Sequence, residues 1–408
     1  MKKFLIGIIL TMIILIGATI TYQQLNAKSS EIQQNQNRYL QENYINEEKI
    51  DIKEISPEEK AWNQRIESAL APVNCLTPEP RKFGELFYNG PLIDAHIHIA
   101  DIPDNNPLDG EPEYNEEEPL LGVNTRITDI ICTLEKENTK KVFAFFPVYK
   151  EISVQMIEIA KRTMEKYPDK FVPFIMPPDN DDSKEGFPTV DAQALQSMLE
   201  IEPNLFKGYG EIGLYARGDH GGPTGAPELP PDNQRLLDIY PIVRENNLIV
   251  YFHLGEAQQE SFEAVLENNP EINFVWHGDQ LIPYENGIQN LKHIDEILTN
   301  HPNAYYGVDE LYGDEWLLKP ETKKEDFLKH FDNYKTLLKK DTTTWKAFIE
   351  KHPDQVLWGT DRGWSAPWSA DEDVGITLTN YARAFIAHLN PEVQERFAYK
   401  NAEKLLSN

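Results

Sequence analysis

From Pro91 to the C-terminus the chain alternates short β-branched or aromatic runs with stretches of helical spacing, and this alternation limits the fold more than any other feature. The runs are PLIDAHIHI, KVFAFFPV, FVPFIM, KGYGEIG, NLIVYFHLG, INFVWHG, NAYYGVD and QVLWGTD. Between and after them lie segments such as VNTRITDIICTLEKEN, DNQRLLDIYPIVRENN and GITLTNYARAFIAHL, with apolar residues at helical intervals. Strands that alternate with helices form a parallel sheet. Eight such units predict an α/β fold, the closed (β/α)8 TIM barrel, although an open doubly wound sheet reads similarly. No strand is followed by a Walker loop or a complete G-x-G-x-x-G, so no nucleotide cofactor is indicated.

The segment before the barrel has another character. In MKKFLIGIILTMIILIGATITYQQLNAKSS, Lys2 and Lys3 precede the uncharged stretch Phe4 to Ile20, the pattern of a secretion signal or signal anchor. The apolar stretch is long for a signal peptide and near the lower limit for a spanning helix. Residues 1–27 are read as signal peptide or signal anchor, residues 28–60 as a polar linker rich in Gln, Asn and Glu, and residues 61–408 as the barrel. The two lysines keep the N-terminus inside and the remainder is exported, either secreted or anchored to the membrane by this segment.

The formal net charge of −28 repels DNA, RNA and anionic membrane surfaces. The expected partner is therefore a small-molecule substrate, with no nucleic acid and with membrane contact only through the N-terminal segment. The two cysteines, Cys75 and Cys132, belong to no CxxC or Cys/His cluster, which argues against a thiolate zinc site. Cys132 lies on an apolar helical face and reads as a small core residue; a Cys75–Cys132 disulfide, possible in an exported protein, is the less favoured reading.

Chemistry enters with LIDAHIHIA. On a strand, His96 and His98 point to one face about 6–7 Å apart, with Ile93, Ile97 and Ile99 on the other. Imidazoles on an inner face each need a partner. Barrels carry their chemistry at the carboxyl ends of the strands. There this chain places, besides His96 and His98, Glu211, His253, His277 and Asp361. Imidazole and carboxylate donors without thiolate suit Zn²⁺, with Mn²⁺, Fe²⁺ or Ni²⁺ as substitutes. Of the other histidines, His293, His301, His330, His352 and His388 read as solvated, and His220 is held back as a site candidate.

With DAHIHI, GYGEIG, YFHLG, FVWHGD, WGTDRGW and the terminal YKNAEKLL, the chain resembles the amidohydrolase superfamily from about Pro91 onward. It looks most like the amidohydrolase-related branch, while GEIGL resembles the TatD-like branch. The resemblance implies one or two divalent ions: His96, His98 and Asp361 at the first, His253 and His277 at the second, and Glu211 bridging. Where many relatives bridge with a carbamylated lysine, a glutamate stands here, and Lys207 is too early in its strand. In mononuclear relatives the residue matching His277 polarises the substrate, and Asp361 matches the proton-accepting base. The implied activity is hydrolysis of a small-molecule amide, ester or lactone by a metal-activated water. Alternatives are a TatD-like phosphoesterase or deoxyribonuclease, a decarboxylase, or a cell-surface binding barrel. Arg217, His220 and Arg362 are the candidate substrate contacts, and Trp364 and Trp368 a candidate apolar wall or rim packing.

Overall fold

A computed structural model describes residues 56–72, 74–75, 81–99, 127–148, 153–178, 181, 185–215, 228–255, 257–278, 284–286, 288–309, 311, 322–363 and 367–407. The chain divides into compact units at residues 1–60 and 61–408. The readings on 1–27 and on nearly all of 28–60 lie outside the described residues; residues 57–60 open the helix Pro57–Ala69. Among the described residues no helix is long and apolar enough to cross a membrane.

The expected runs form the strands β1 Leu92–His98, β2 Thr139–Pro147, β3 Phe171–Met176, β4 Gly208–Gly213, β5 Ile249–His253, β6 Phe274–His277, β7 Ala304–Val308 and β8 Val356–Trp358. Neighbours pair in parallel in that order. The circle closes just past β8, where Asp361 N–H donates to His96 O at 3.0 Å and His98 N–H donates to Arg362 O at 2.9 Å. The helices between strands turn their apolar stripes inward, as Ile130, Ile131 and Leu134 do in the helix Ile127–Lys136.

The core has two layers. One lies between strands and helices. The other fills the barrel and is largely aromatic: Phe145 lies 4.9 Å from both Phe174 and Tyr251 between ring centroids. Ala402 and Leu405 join this inner layer, and Glu403 accepts from Lys140 at the start of β2 at 3.0 Å. The C-terminal helix Asn401–Leu405 therefore stops the end of the barrel where strands begin, and leaves the opposite end for a site.

Three expectations are corrected. Ile93 and Ala95 face the barrel interior, as the histidines do, because the register of β1 against β2 shifts between Asp94 and Ile97. Such a bulge resets the alternation, so Ile97 and Ile99 face outward as expected and Ile93 does not. Cys132 is not merely a core residue: it is bonded to Cys75, with Cα atoms 5.4 Å apart. Tertiary folding brings together residues that are 57 positions apart in sequence. His301 and His352 are buried rather than solvated, since each terminates a helix against the core; His352 Nε2 lies 2.8 Å from Asp295 Oδ1.

Candidate metal centre

Five strands deliver six donors to the open end of the barrel. His96 and His98 come from β1, Glu211 from β4, His253 and His277 from the last positions of β5 and β6, and Asp361 from the turn after β8. Ring centroids are 4.9 Å apart for His96 and His98, 4.4 Å for His96 and His277, and 4.7 Å for His253 and His277. All six metal candidates from the sequence therefore converge.

Glu211 divides its two oxygens. Oε2 lies 3.2 Å from His96 Nε2 and 3.3 Å from His98 Nε2. Oε1 lies 3.3 Å from His277 Nε2 and 3.9 Å from His253 Nε2. Asp361 Oδ1 completes the first side, 2.9 Å from His98 Nε2 and 3.5 Å from His96 Nε2. Two donor sets share Glu211, His96–His98–Glu211–Asp361 and Glu211–His253–His277, and a third groups His96, His277 and Asp309, each with ligand atoms within 4.8 Å of one another.

The donors fit a cation. The Nε2 atoms of His96 and His277 are buried and make no well-formed hydrogen bond among the described residues. Buried nitrogens in that position call for a partner, and a divalent ion beside Glu211 is one. Charge agrees with this. Burial alone would depress His96, but Asp361, Asp309 and Glu211 raise its pKa well above the usual histidine value. Burial is likewise overcome at His98, which Asp361 and Glu211 raise. Burial would raise Glu211, yet His277, His96 and His98 hold it well below the ordinary carboxylate value; burial would also raise Asp361, which His96 and His98 lower. Two carboxylates stay ionised here and attract positive charge, whether protons on imidazole or a metal.

Among the described residues the donors differ in exposure. His96 and His277 side chains are 1% exposed, whereas Asp361 is 24% exposed. Asp361 adopts φ +48°, unusual for a residue with a Cβ. The turn is held by Asp94, which accepts from Thr360 N–H at 3.0 Å, Thr360 Oγ1–H at 2.7 Å and His96 N–H at 3.2 Å. β1 and the turn after β8 are thus clamped at the level of the donors.

The substrate-contact readings fare differently. Arg217, His220 and Trp364 lie outside the described residues. Arg362 does not line the mouth: it is 3% exposed, and its guanidinium lies against Thr133 and Gly375 of the surrounding helices, within the field of Asp94 and Glu137. Asp361 turns with φ +48°, and Arg362, bridged to Ile97 of β1, runs away from the donors toward the helices. Trp368 packs on Phe327, ring centroids 5.2 Å apart, and donates to Thr322 O at 3.2 Å, which makes it a rim-packing residue. Asp309 escaped the sequence reading, although NAYYGVD ends in a carboxylate just as VLWGTD does. It is buried beneath His96 and His277, Oδ2 being 3.2 Å from His96 Nδ1.

A parallel barrel whose strand ends gather imidazoles and carboxylates defines the class of barrel enzymes that work at that face. Residues 93–407 match the amidohydrolase family, and the chain belongs to it. Similar solved structures include a probable 2-pyrone-4,6-dicarboxylic acid hydrolase from Acinetobacter baumannii (11% identity, 78% of this chain, 99% of that one, TM-score 0.46). Another is an amidohydrolase from Burkholderia multivorans with bound zinc (10% identity, 78% and 99%, TM-score 0.45). A third is a 2,6-dihydroxybenzoate decarboxylase in complex with 2,6-dihydroxybenzoate (13% identity, 79% and 100%, TM-score 0.40). No curated protein matches the chain.

Proposed function

We propose that this protein is an exported, metal-dependent hydrolase of a small-molecule amide, ester or lactone, with two divalent ions, Zn²⁺ by the chemistry of the donors. The observation that carries the reading is the division of Glu211, one oxygen toward His96 and His98 and the other toward His277 and His253. His96, His98 and Asp361 would hold one ion and His253 and His277 the other, with Glu211 contributing to both. When bound, the ions supply an activated water near neutral pH and polarise the substrate's carbonyl. Asp361, the most exposed of the ionised carboxylates at the site, faces incoming substrate and takes up the water's proton at a carboxylate oxygen, then returns it to the leaving group. His96 and His277 are shielded from solvent and act as fixed ligands.

Export is supported by the Cys75–Cys132 bond, which persists in oxidising compartments, and by Lys2 and Lys3 ahead of the apolar stretch Phe4 to Ile20. The test is metal analysis of protein purified without chelator, followed by a panel of amides, esters, lactones and phosphoesters. Two transition-metal ions per chain with turnover of a carboxylic-acid derivative is the expected result. Absence of bound metal, or turnover confined to phosphoesters, overturns the assignment. Recovery of the full-length protein from the soluble cytoplasm overturns export.

A further inference from the structure

Asp309 belongs to neither of the donor sets that share Glu211, but groups separately with His96 and His277. It directly follows β7 and is 7% exposed. Its Oδ2 lies 3.2 Å from His96 Nδ1 and 3.6 Å from His277 Nδ1. The Nε2 atoms of the same two rings lie beside Glu211, at 3.2 Å and 3.3 Å. Each ring has Asp309 on its Nδ1 side, hydrogen-bonded at His96 and just beyond hydrogen-bond distance at His277, and the metal side at its Nε2. A neutral imidazole carries one N–H, and the partner of one nitrogen decides where the proton resides. A carboxylate acceptor at Nδ1 keeps the proton there and leaves the Nε2 lone pair for a cation.

Two glycines make room for this carboxylate. A Cβ on Gly307, in β7, would stand 3.3 Å from both Asp309 Oδ2 and His277 Cβ. A Cβ on Gly359, which follows β8, would collide with Asp309 Oδ1 and lie 2.9 Å from His96 Cβ. Neither glycine has a positive φ, so what the site draws on is the missing side chain rather than an unusual backbone.

We infer that Asp309 is a positioning residue that fixes the Nδ1–H tautomer of His96 and His277 together, so that one carboxylate prepares a ligand for each of the two ions without touching either. The inference rests on the metal reading above. Its consequence is that losing Asp309 weakens every ion the protein binds, although it ligates none.

The experiment titrates Zn²⁺ into metal-free wild type and D309N against a competing chelator. In parallel, ¹⁵N spectra of zinc-loaded wild type report the imidazole tautomers. The expected results are Nδ1–H at both His96 and His277, and a loss in D309N of about 10- to 100-fold in affinity for each ion bound by wild type, the usual scale for an outer partner of a ligand. Unchanged affinity in folded D309N, or loss at only one ion, overturns the inference and leaves the metal reading standing. Should D309N not fold, the wild-type tautomers decide: a proton on Nε2 of either ring overturns it. Failure of wild type to take up Zn²⁺ overturns the metal reading itself, and the inference with it.

Discussion

Replacing Asp94 by asparagine isolates what a buried carboxylate contributes at the seam of the barrel. Asp94 is 1% exposed, and burial pushes its carboxyl from the ordinary 3.8 up to about 6, against the opposing pull of Arg362 and Thr360. At about 1.4 kcal/mol per pH unit, the ionised form is disfavoured in the fold by about 3 kcal/mol. The folded state holds this proton more tightly than the unfolded chain. The associated stability is fully present below pH 3.8 and is lost as pH rises through about 6. Asparagine does not titrate, yet its Oδ1 can accept from Thr360 N–H and His96 N–H, and its Nδ2 can donate to Thr360 Oγ1. The unfolding free energy of D94N minus that of wild type should therefore grow with pH, by about 2 kcal/mol between about pH 4 and pH 7. The assay is urea unfolding of chelator-treated protein across that range, with equal m-values as the check that only stability has changed. A pH-independent difference would show that Arg362 and the hydrogen bonds cancel burial, and one that shrinks as pH rises that they outweigh it; either would refute the reasoning. D94A is the contrasting case. It leaves the Thr360 and His96 donors without their acceptor and should lose about 1–3 kcal/mol at every pH.

Asp361→Asn keeps an oxygen for the first ion but cannot accept a proton, so turnover should fall about 10²-fold or more while bound metal is largely retained, as steady-state kinetics and elemental analysis of the same sample would show. Metal affinity should fall as pH is lowered, beginning above the usual histidine range, because raised pKa values at His96 and His98 let protons compete with the ion; equilibrium dialysis against Zn²⁺ at stepped pH, with proton release followed in weak buffer, checks this. Cys75→Ser should destabilise the barrel by about 4 kcal/mol on the loop-entropy relation for a 57-residue separation, and a reductant should lower the melting temperature of wild type but not of the variant.

Much of this protein is legible along the chain. Seven of the eight barrel strands lie within the apolar runs and β2 starts two residues ahead of its run, at Thr139, since the β-branched and aromatic clusters and the helical stripes between them are local patterns that tertiary contacts did not override. The six donors were visible for the same reason: each stands at or near the end of its run, and a parallel barrel brings strand ends together. What sequence alone left undecided depends on contacts between distant segments. The bulge in β1 turns Ile93 inward, and only the pairing with β2 defines it. The outward turn of Arg362 follows from the seam between β1 and the end of β8, and the Cys75–Cys132 bond from the packing of one segment on another. Asp309 shares its sequence signature with Asp361, a carboxylate closing an apolar run. One lies under the imidazoles and the other beside them, and that difference exists only once the strands are placed in three dimensions.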